Sequence, residues 1–127
     1  MRIGADYYPE HWEKERWKTD AEMMVKANIK VIRIGEFAWS LYEPEEGKYE
    51  FDWMDEALDF FGKYGIKVVM CTPSATPPKW MIDKYPDILQ NDIHGNPKLF
   101  GTRKHYCFNS ETYREKTKKL NTLIAKR

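Results

Sequence analysis

Three short stretches of this 127-residue chain gather side chains able to do chemistry on a polar ligand. The first is Asp6-Tyr7-Tyr8-Pro9-Glu10-His11-Trp12, the second begins Glu36-Phe37 and includes Trp39, and the third, Thr72 to Phe108, carries Trp80, Arg103, His105 and Cys107. Each pairs flat apolar rings with carboxylates, imidazole or guanidinium. A sugar presents the two matching surfaces, C–H faces for rings and a dense set of hydroxyls for carboxylates and arginine. Residue type alone makes a carbohydrate site reasonable, although large aromatics also simply fill cores, and nineteen of them are present. The second stretch is the oddest: EFAWSLYEPEEGKYEFDW, residues 36 to 53, holds six aromatic and six acidic side chains, broken by Pro44 and Gly47.

Other chemistries lack their signatures. GADYYPEHW has one glycine, placed before the loop, and two tyrosines where a dinucleotide pyrophosphate would need close backbone approach, which disfavours a nucleotide cofactor. Neither a nucleophile elbow nor a close Cys-His pair with a third orienting group occurs. Twenty-one Lys and Arg nearly balance twenty Asp and Glu, and neither sign forms a long block, so nucleic acid is not an expected partner. No run approaches the roughly 20 apolar residues of a membrane span, and MRIGADYY lacks the regions of a signal peptide, so the expectation is no membrane and a cytoplasmic location. Two cysteines, Cys71 and Cys107, are too few for a disulfide framework.

The elements that must position these loops follow from periodicity. Arg2 to Tyr7 reads as a strand, and Glu13 to Ala27 as a helix with apolar residues at 17, 21, 24 and 25, ended by Asn28 in a left-handed conformation. IKVIRI, Ile29 to Ile34, alternates as a strand. Asp52 is placed to cap a helix with its stripe at 54, 57, 58 and 61, ended by Gly65. IKVVMC, Ile66 to Cys71, is a near-continuous apolar run of the kind covered on both faces. Beyond it come five of the seven prolines, a short helix over Pro78 to Tyr85 and a small hairpin over residues 88 to 100 around His94-Gly95-Asn96-Pro97. Asn109 or Ser110 caps a last helix with its stripe at 113, 117, 120 and 124. Strand, helix, strand, helix, strand is two consecutive βαβ units, an α/β fold with right-handed crossovers and its loops at the carboxyl ends of the strands. Three units cannot close a barrel, so residues 1–127 are expected to be the amino-terminal part of a larger α/β protein.

Four ordered motifs, GADYYPEHW, RIGEFAWSLYEP, CTPSATPPKW and FGTRKHYCFNS, resemble the β-galactosidases of glycoside hydrolase family 42, and together they run along essentially the whole chain. The resemblance implies the N-terminal portion of a (β/α)8 TIM barrel, its first three strand-helix units, in an enzyme that hydrolyses terminal β-D-galactosides with retention and assembles as a homo-oligomer. That chemistry needs two carboxyl groups about 5 to 5.5 Å apart. The family's two glutamates follow its fourth and seventh strands, so no residue here is assigned as catalytic. Arg103 matches the arginine that hydrogen-bonds galactose, and its alternative is an ion pair closing a loop. Cys107 matches the first cysteine of a four-cysteine structural zinc site of some members, and its alternative is a free thiol. Phe108 stands where many relatives carry proline.

From its place after the second strand, Glu36 is expected to face the mouth and support the site through Arg33 or a sugar hydroxyl, its alternative being a plain strand-end salt bridge. The other acids of the insert are expected to be solvated. Trp12, Trp39 and Trp80 are candidates for lining or for packing beneath the pocket, and His11 and His105 for supporting donors. The competing reading of the whole chain is a non-catalytic α/β module that binds a carbohydrate or a protein. A pure preparation of these 127 residues is expected to hydrolyse no aryl β-galactoside, and turnover above the uncatalysed rate would overturn that.

Overall fold

The computed structural model describes residues 3–102 and 104–127. Three parallel strands, β1 (Ile3–Asp6), β2 (Ile29–Ile34) and β3 (Lys67–Met70), lie in chain order β1-β2-β3. Between them run α1 (Lys14–Lys26), the short α2 (Trp39–Tyr42) and α3 (Asp52–Lys63), and after β3 come α4 (Lys79–Lys84) and α5 (Glu111–Lys126). Single 3-10 turns at Pro9–His11, Pro73–Ala75 and Pro86–Ile88 each place proline first, where its missing N–H costs nothing. No described helix is long and apolar enough to cross a membrane.

Register explains which face holds the core. Ala5, Ile32 and Val68 are level across the sheet, as are Ile34 and Met70, and their shared face meets α1 and α3. There Tyr7, Trp17, Ala21, Ile32, Ile34, Ala57 and Phe61 form one buried cluster, so the helical stripes read from the sequence are the buried ones, apart from exposed Val25. A second cluster joins α2, α4 and α5 through Trp39, Tyr42, Met81, Ile88, Tyr106, Tyr113 and Leu120.

The helix ends obey local chemistry. Asn28, at φ 58°, and Gly65, at φ 69°, take the left-handed conformation that stops α1 and α3. Ser110 caps α5, its hydroxyl accepting from the Tyr113 amide at 3.2 Å. Asp52 does not cap α3: Phe51 holds the cap position with no side-chain bond, and Asp52 is the first helical residue, where a carboxylate still favours the helix dipole.

Two further expectations change, while the hairpin expected within 88–100 does form, Lys98 N donating to the Gln90 carbonyl and Asp92 N to the Asn96 carbonyl, both at 2.8 Å. β3 is covered on one face only, since Lys67 and Val69, level with Val31 and Arg33, are exposed among the described residues. In the hairpin the turn is held by a side chain. Asn91 bridges Pro97 around a turn held by Asp92, whose Oδ1 accepts from His94 N and Asn96 N, while Leu89 bridges the distant Tyr106. The insert's acids are not all solvated either. Glu43 is 1% exposed, and Glu46 is gripped by Lys84 of α4, Lys116 of α5 and the Tyr85 hydroxyl, the last at 2.8 Å.

Those three donors hold the Glu46 carboxyl down at about 2, the Lys116 bond being the largest cause. A depressed carboxylate contributes stability that is complete above its unfolded-state pKa and is lost as pH falls through the folded one. Glu46→Gln should therefore flatten the fall in melting temperature between about pH 4.5 and pH 2. Asp55 and Asp92, also held low by their hydrogen bonds, contribute to the slope that remains. Melting curves at several pH values test this, and an unchanged acid slope in Glu46→Gln would remove the clamp from the account.

Candidate functional site

At the carboxyl ends of β1 and β2 an arginine ties the first two loops together. Asp6 and Arg33 are paired in register, so both side chains rise from the same open sheet face. Arg33 Nε donates to Asp6 Oδ1 at 2.8 Å and Nη2 to Asp6 Oδ2 at 3.0 Å, a bidentate pair, while Nη2 also reaches Glu36 Oε2 at 2.8 Å. Tyr8 donates to that same Glu36 oxygen at 3.5 Å. With so much of the clamp exposed to water it adds little stability, and for Glu36 it is the strand-end salt bridge named above as the alternative. The Asp6 hydrogen bonds raise the Arg33 pKa, and burial followed by the Glu36 and Asp6 charges raises that of Tyr8. A phenol kept protonated and a permanently charged guanidinium are both donors, and Glu36 Oε1 accepts from none of the described residues.

Aromatic rings flank the clamp. Tyr8 stacks on Phe37 at 5.7 Å and on His11 at 5.3 Å, giving a ledge from the first loop to the second. Trp39, completely buried, packs beneath rather than lining a pocket, and its Nε1 donates to Glu43 Oε2 at 3.0 Å. Trp80 also packs, donating Nε1 to the Glu43 carbonyl at 2.9 Å. Trp12 differs: it is half-exposed under the Arg16 guanidinium, 4.4 Å from its ring centre, on the α1 side of the loop.

Behind the clamp, Gly35 turns the chain at φ 79° between Ile34 and Glu36, and a Cβ there would stand 2.7 Å from the Tyr42 hydroxyl. Both oxygens of Glu10 and the Tyr42 hydroxyl are buried without a hydrogen-bond partner among the described residues, and burial is the largest cause raising the pKa of each group. Sequence reasoning assigned no catalytic role to any carboxylate of this chain. It missed the interior role of Glu43, for which the i,i+4 spacing from Trp39 on a short helix was the available signal.

The remaining site residues fall differently. Arg103 lies outside the described residues. Cys107 is a half-buried free thiol whose backbone amide donates to the Ile88 carbonyl at 2.7 Å. No group of three or more His, Cys, Asp or Glu able to hold a metal occurs among the described residues, so these residues do not by themselves fit a zinc ion. Cys71, at the end of β3, is also free, and burial raises its thiol pKa. His105 is buried, with Nδ1 at 2.8 Å from the Thr102 carbonyl. His94 sits in the Asp92 turn.

The family model described as β-galactosidase, glycoside hydrolase family 42, matches residues 6–127. The chain belongs to glycoside hydrolase family 42. It is 54% identical over 125 residues to a β-galactosidase of Thermus thermophilus and 48% identical over 127 residues to β-galactosidase BgaH of Haloferax lucentense. These alignments take in 98% and 100% of this chain and 19% of each relative. Among solved structures it superposes on the β-galactosidase of Rahnella sp. R3 with a TM-score of 0.96 at 43% identity, covering 100% of this chain. The β-galactosidase of Halorubrum lacusprofundi gives 0.93 at 45% identity over 98%. This family 42 chain spans 19% of either structure, and its three strand-helix units are the amino-terminal part of that TIM barrel.

Gly35 is the joint that lets a family 42 strand end aim Glu36 while Tyr42 packs behind it. Gly35→Ala should cost about 3 kcal/mol, left-handed strain plus displacement of the Tyr42 hydroxyl. Gly47→Ala, at φ 80° with nothing within 4 Å of its Cβ, should cost only the strain, about 1 kcal/mol. Urea unfolding midpoints compare the two, and equal losses would show that the Tyr42 contact does not matter.

Proposed function

We propose that this chain is the substrate-binding amino-terminal part of an enzyme that hydrolyses terminal, non-reducing β-D-galactosides with retention of configuration. The observation that carries the reading is the family match across residues 6–127, at 48–54% identity to β-galactosidases. The retaining reaction uses one carboxyl group as acid/base and one as nucleophile. Neither is assigned to this chain. Its share of the work is to hold the sugar while groups elsewhere in the barrel do the bond-breaking.

Two residues take that share in the proposal. Arg103 gives galactose a fixed fork of N–H donors, a role resting on the GTRKHYC motif. Glu36 accepts from a sugar hydroxyl through Oε1, which accepts from none of the described residues, supported by the Arg33 and Tyr8 bonds that occupy Oε2. Cys107 is proposed as one thiolate of a structural zinc site, which needs three ligands from outside the described residues.

In the full-length polypeptide, Arg103→Ala should raise KM for an aryl galactoside and the inhibition constant of galactose about 30-fold, the scale of one charge-assisted hydrogen bond, without lowering the melting temperature. Glu36→Gln should cost about tenfold in kcat/KM. Steady-state kinetics with galactose inhibition decide this, and wild-type constants in either variant would remove that residue from the site.

A further inference from the structure

Arg103 is assigned above to galactose, and the residues on either side of it are tightly constrained. Lys104 takes the left-handed conformation at φ 55°, which costs a lysine backbone strain. A residue other than glycine persists there only where its surroundings over-determine it, and such positions gather at ligand clamps. Thr102 is tied twice. Its amide and its hydroxyl donate to the Leu99 carbonyl at 3.2 and 2.8 Å, and its own carbonyl lies 2.8 Å from His105 Nδ1. A carbonyl only accepts, so Nδ1 carries the hydrogen. That carbonyl belongs to the peptide link between Thr102 and Arg103.

His105 acts from a firm base. Its carbonyl accepts from Gln90 N at 2.7 Å, Tyr106 bridges Leu89, and Cys107 N donates to the carbonyl of fully buried Ile88 at 2.7 Å. Its ring, 3% exposed, packs edge to face with Phe100 at 5.8 Å and Tyr106 at 5.9 Å. The turn it holds has little else, since Leu99 is 73% and Phe100 50% exposed, leaving few buried apolar contacts among the described residues. Packing does not account for an imidazole in this place. Its Nε2 is buried without a partner among the described residues, which costs stability, and an apolar side chain of similar size would fill the space without that cost. What an apolar side chain lacks is a hydrogen for the Thr102 carbonyl.

We infer that His105 is a positioning residue for Arg103: anchored to the 88–90 segment, it fixes the Thr102 carbonyl through Nδ1 and so sets the direction in which the chain enters the arginine that binds the sugar. The inference rests on the galactose-binding reading of Arg103 and deepens it by naming what holds that arginine ready. The gain is preorganisation, because a guanidinium fork already held in its binding geometry loses less freedom when the sugar arrives.

Substitutions in the full-length polypeptide decide this. His105→Leu removes the hydrogen bond while filling the space, and the freed carbonyl of exposed Thr102 can turn to water, so the melting temperature should not fall. The inhibition constant of galactose and KM for p-nitrophenyl β-D-galactoside should each rise about fivefold, one neutral hydrogen bond, with kcat changed less than about twofold. His105→Asn, whose amide nitrogen reaches the Nδ1 position, should bring both constants back to within about twofold of wild type. In an Arg103→Ala background His105→Leu should add no further loss, because a residue that acts through Arg103 then has nothing left to position. The full loss in that background, wild-type constants in His105→Leu, or no rescue by His105→Asn would overturn the inference while leaving Arg103 in its role. Wild-type galactose inhibition in Arg103→Ala would remove the arginine's role and the inference together. If the wild type hydrolyses no galactoside, the galactosidase reading falls, and the same comparisons made on calorimetric galactose dissociation constants decide the inference. Absence of galactose binding ends it.

Discussion

A carboxylate taken out of water must be given hydrogen-bond donors, and Glu43 finds two inside its own loop: Trp39 Nε1 on Oε2 and the Gly47 amide, 2.9 Å away, on Oε1. Its carbonyl accepts from Trp80, so one residue pins α2, the Gly47 turn and α4 to each other. Around this polar pin the aromatics close, with Tyr42 against Trp53 at 5.0 Å and against Phe51 at 5.7 Å. Glu36 leaves β2 with its position set by Arg33 below and by Tyr42 behind Gly35, and the ledge of Tyr8 and Phe37 lies alongside.

How much of this was readable in advance follows from how far each interaction reaches along the chain. The alternation of IKVIRI, Asn28 and Gly65 as stops and the Ser110 cap depend on neighbours within a few residues, and the structure keeps all of them. Asp52 slipped by one position because a helix start is a small local preference that the packing of Phe51 on Tyr42 and Tyr49 can shift. Glu43 and Glu46 were misjudged as solvated for a different reason. The donors that give Glu46 its place lie 38 to 70 residues away, on helices whose approach no local pattern announces. Leu89, at the start of the hairpin that was expected and does form, also bridges Tyr106, and a bridge to a distant loop leaves no trace in spacing.

The site divides along the same line. Strand ends and residue type led only to the proposal of a polar ligand with flat faces at this end of the sheet. Arg33 as a partner of Glu36 was legible from their spacing at the strand end, whereas its pairing with Asp6 depends on the register that brings residues 6 and 33 level. The ledge of Tyr8, His11 and Phe37 was not, since two loops of irregular backbone meet there. Only the folded structure reveals that both Glu10 oxygens and the Tyr42 hydroxyl lack partners among the described residues, since no spacing rule says which buried atoms go unsatisfied.

The sheet order has one more consequence. Each strand lies beside the one synthesised just before it, so as the polypeptide emerges from the ribosome every new strand meets a template already laid down. β2 completes its ladder to β1 and closes the α1 layer while β3 is still being made, and no strand has to be threaded between two others. Parallel pairing is slow when it must join distant segments, and here each pairing joins neighbours across a single crossover. Assembly of these three strands can then proceed vectorially, from β1 through β2 to β3.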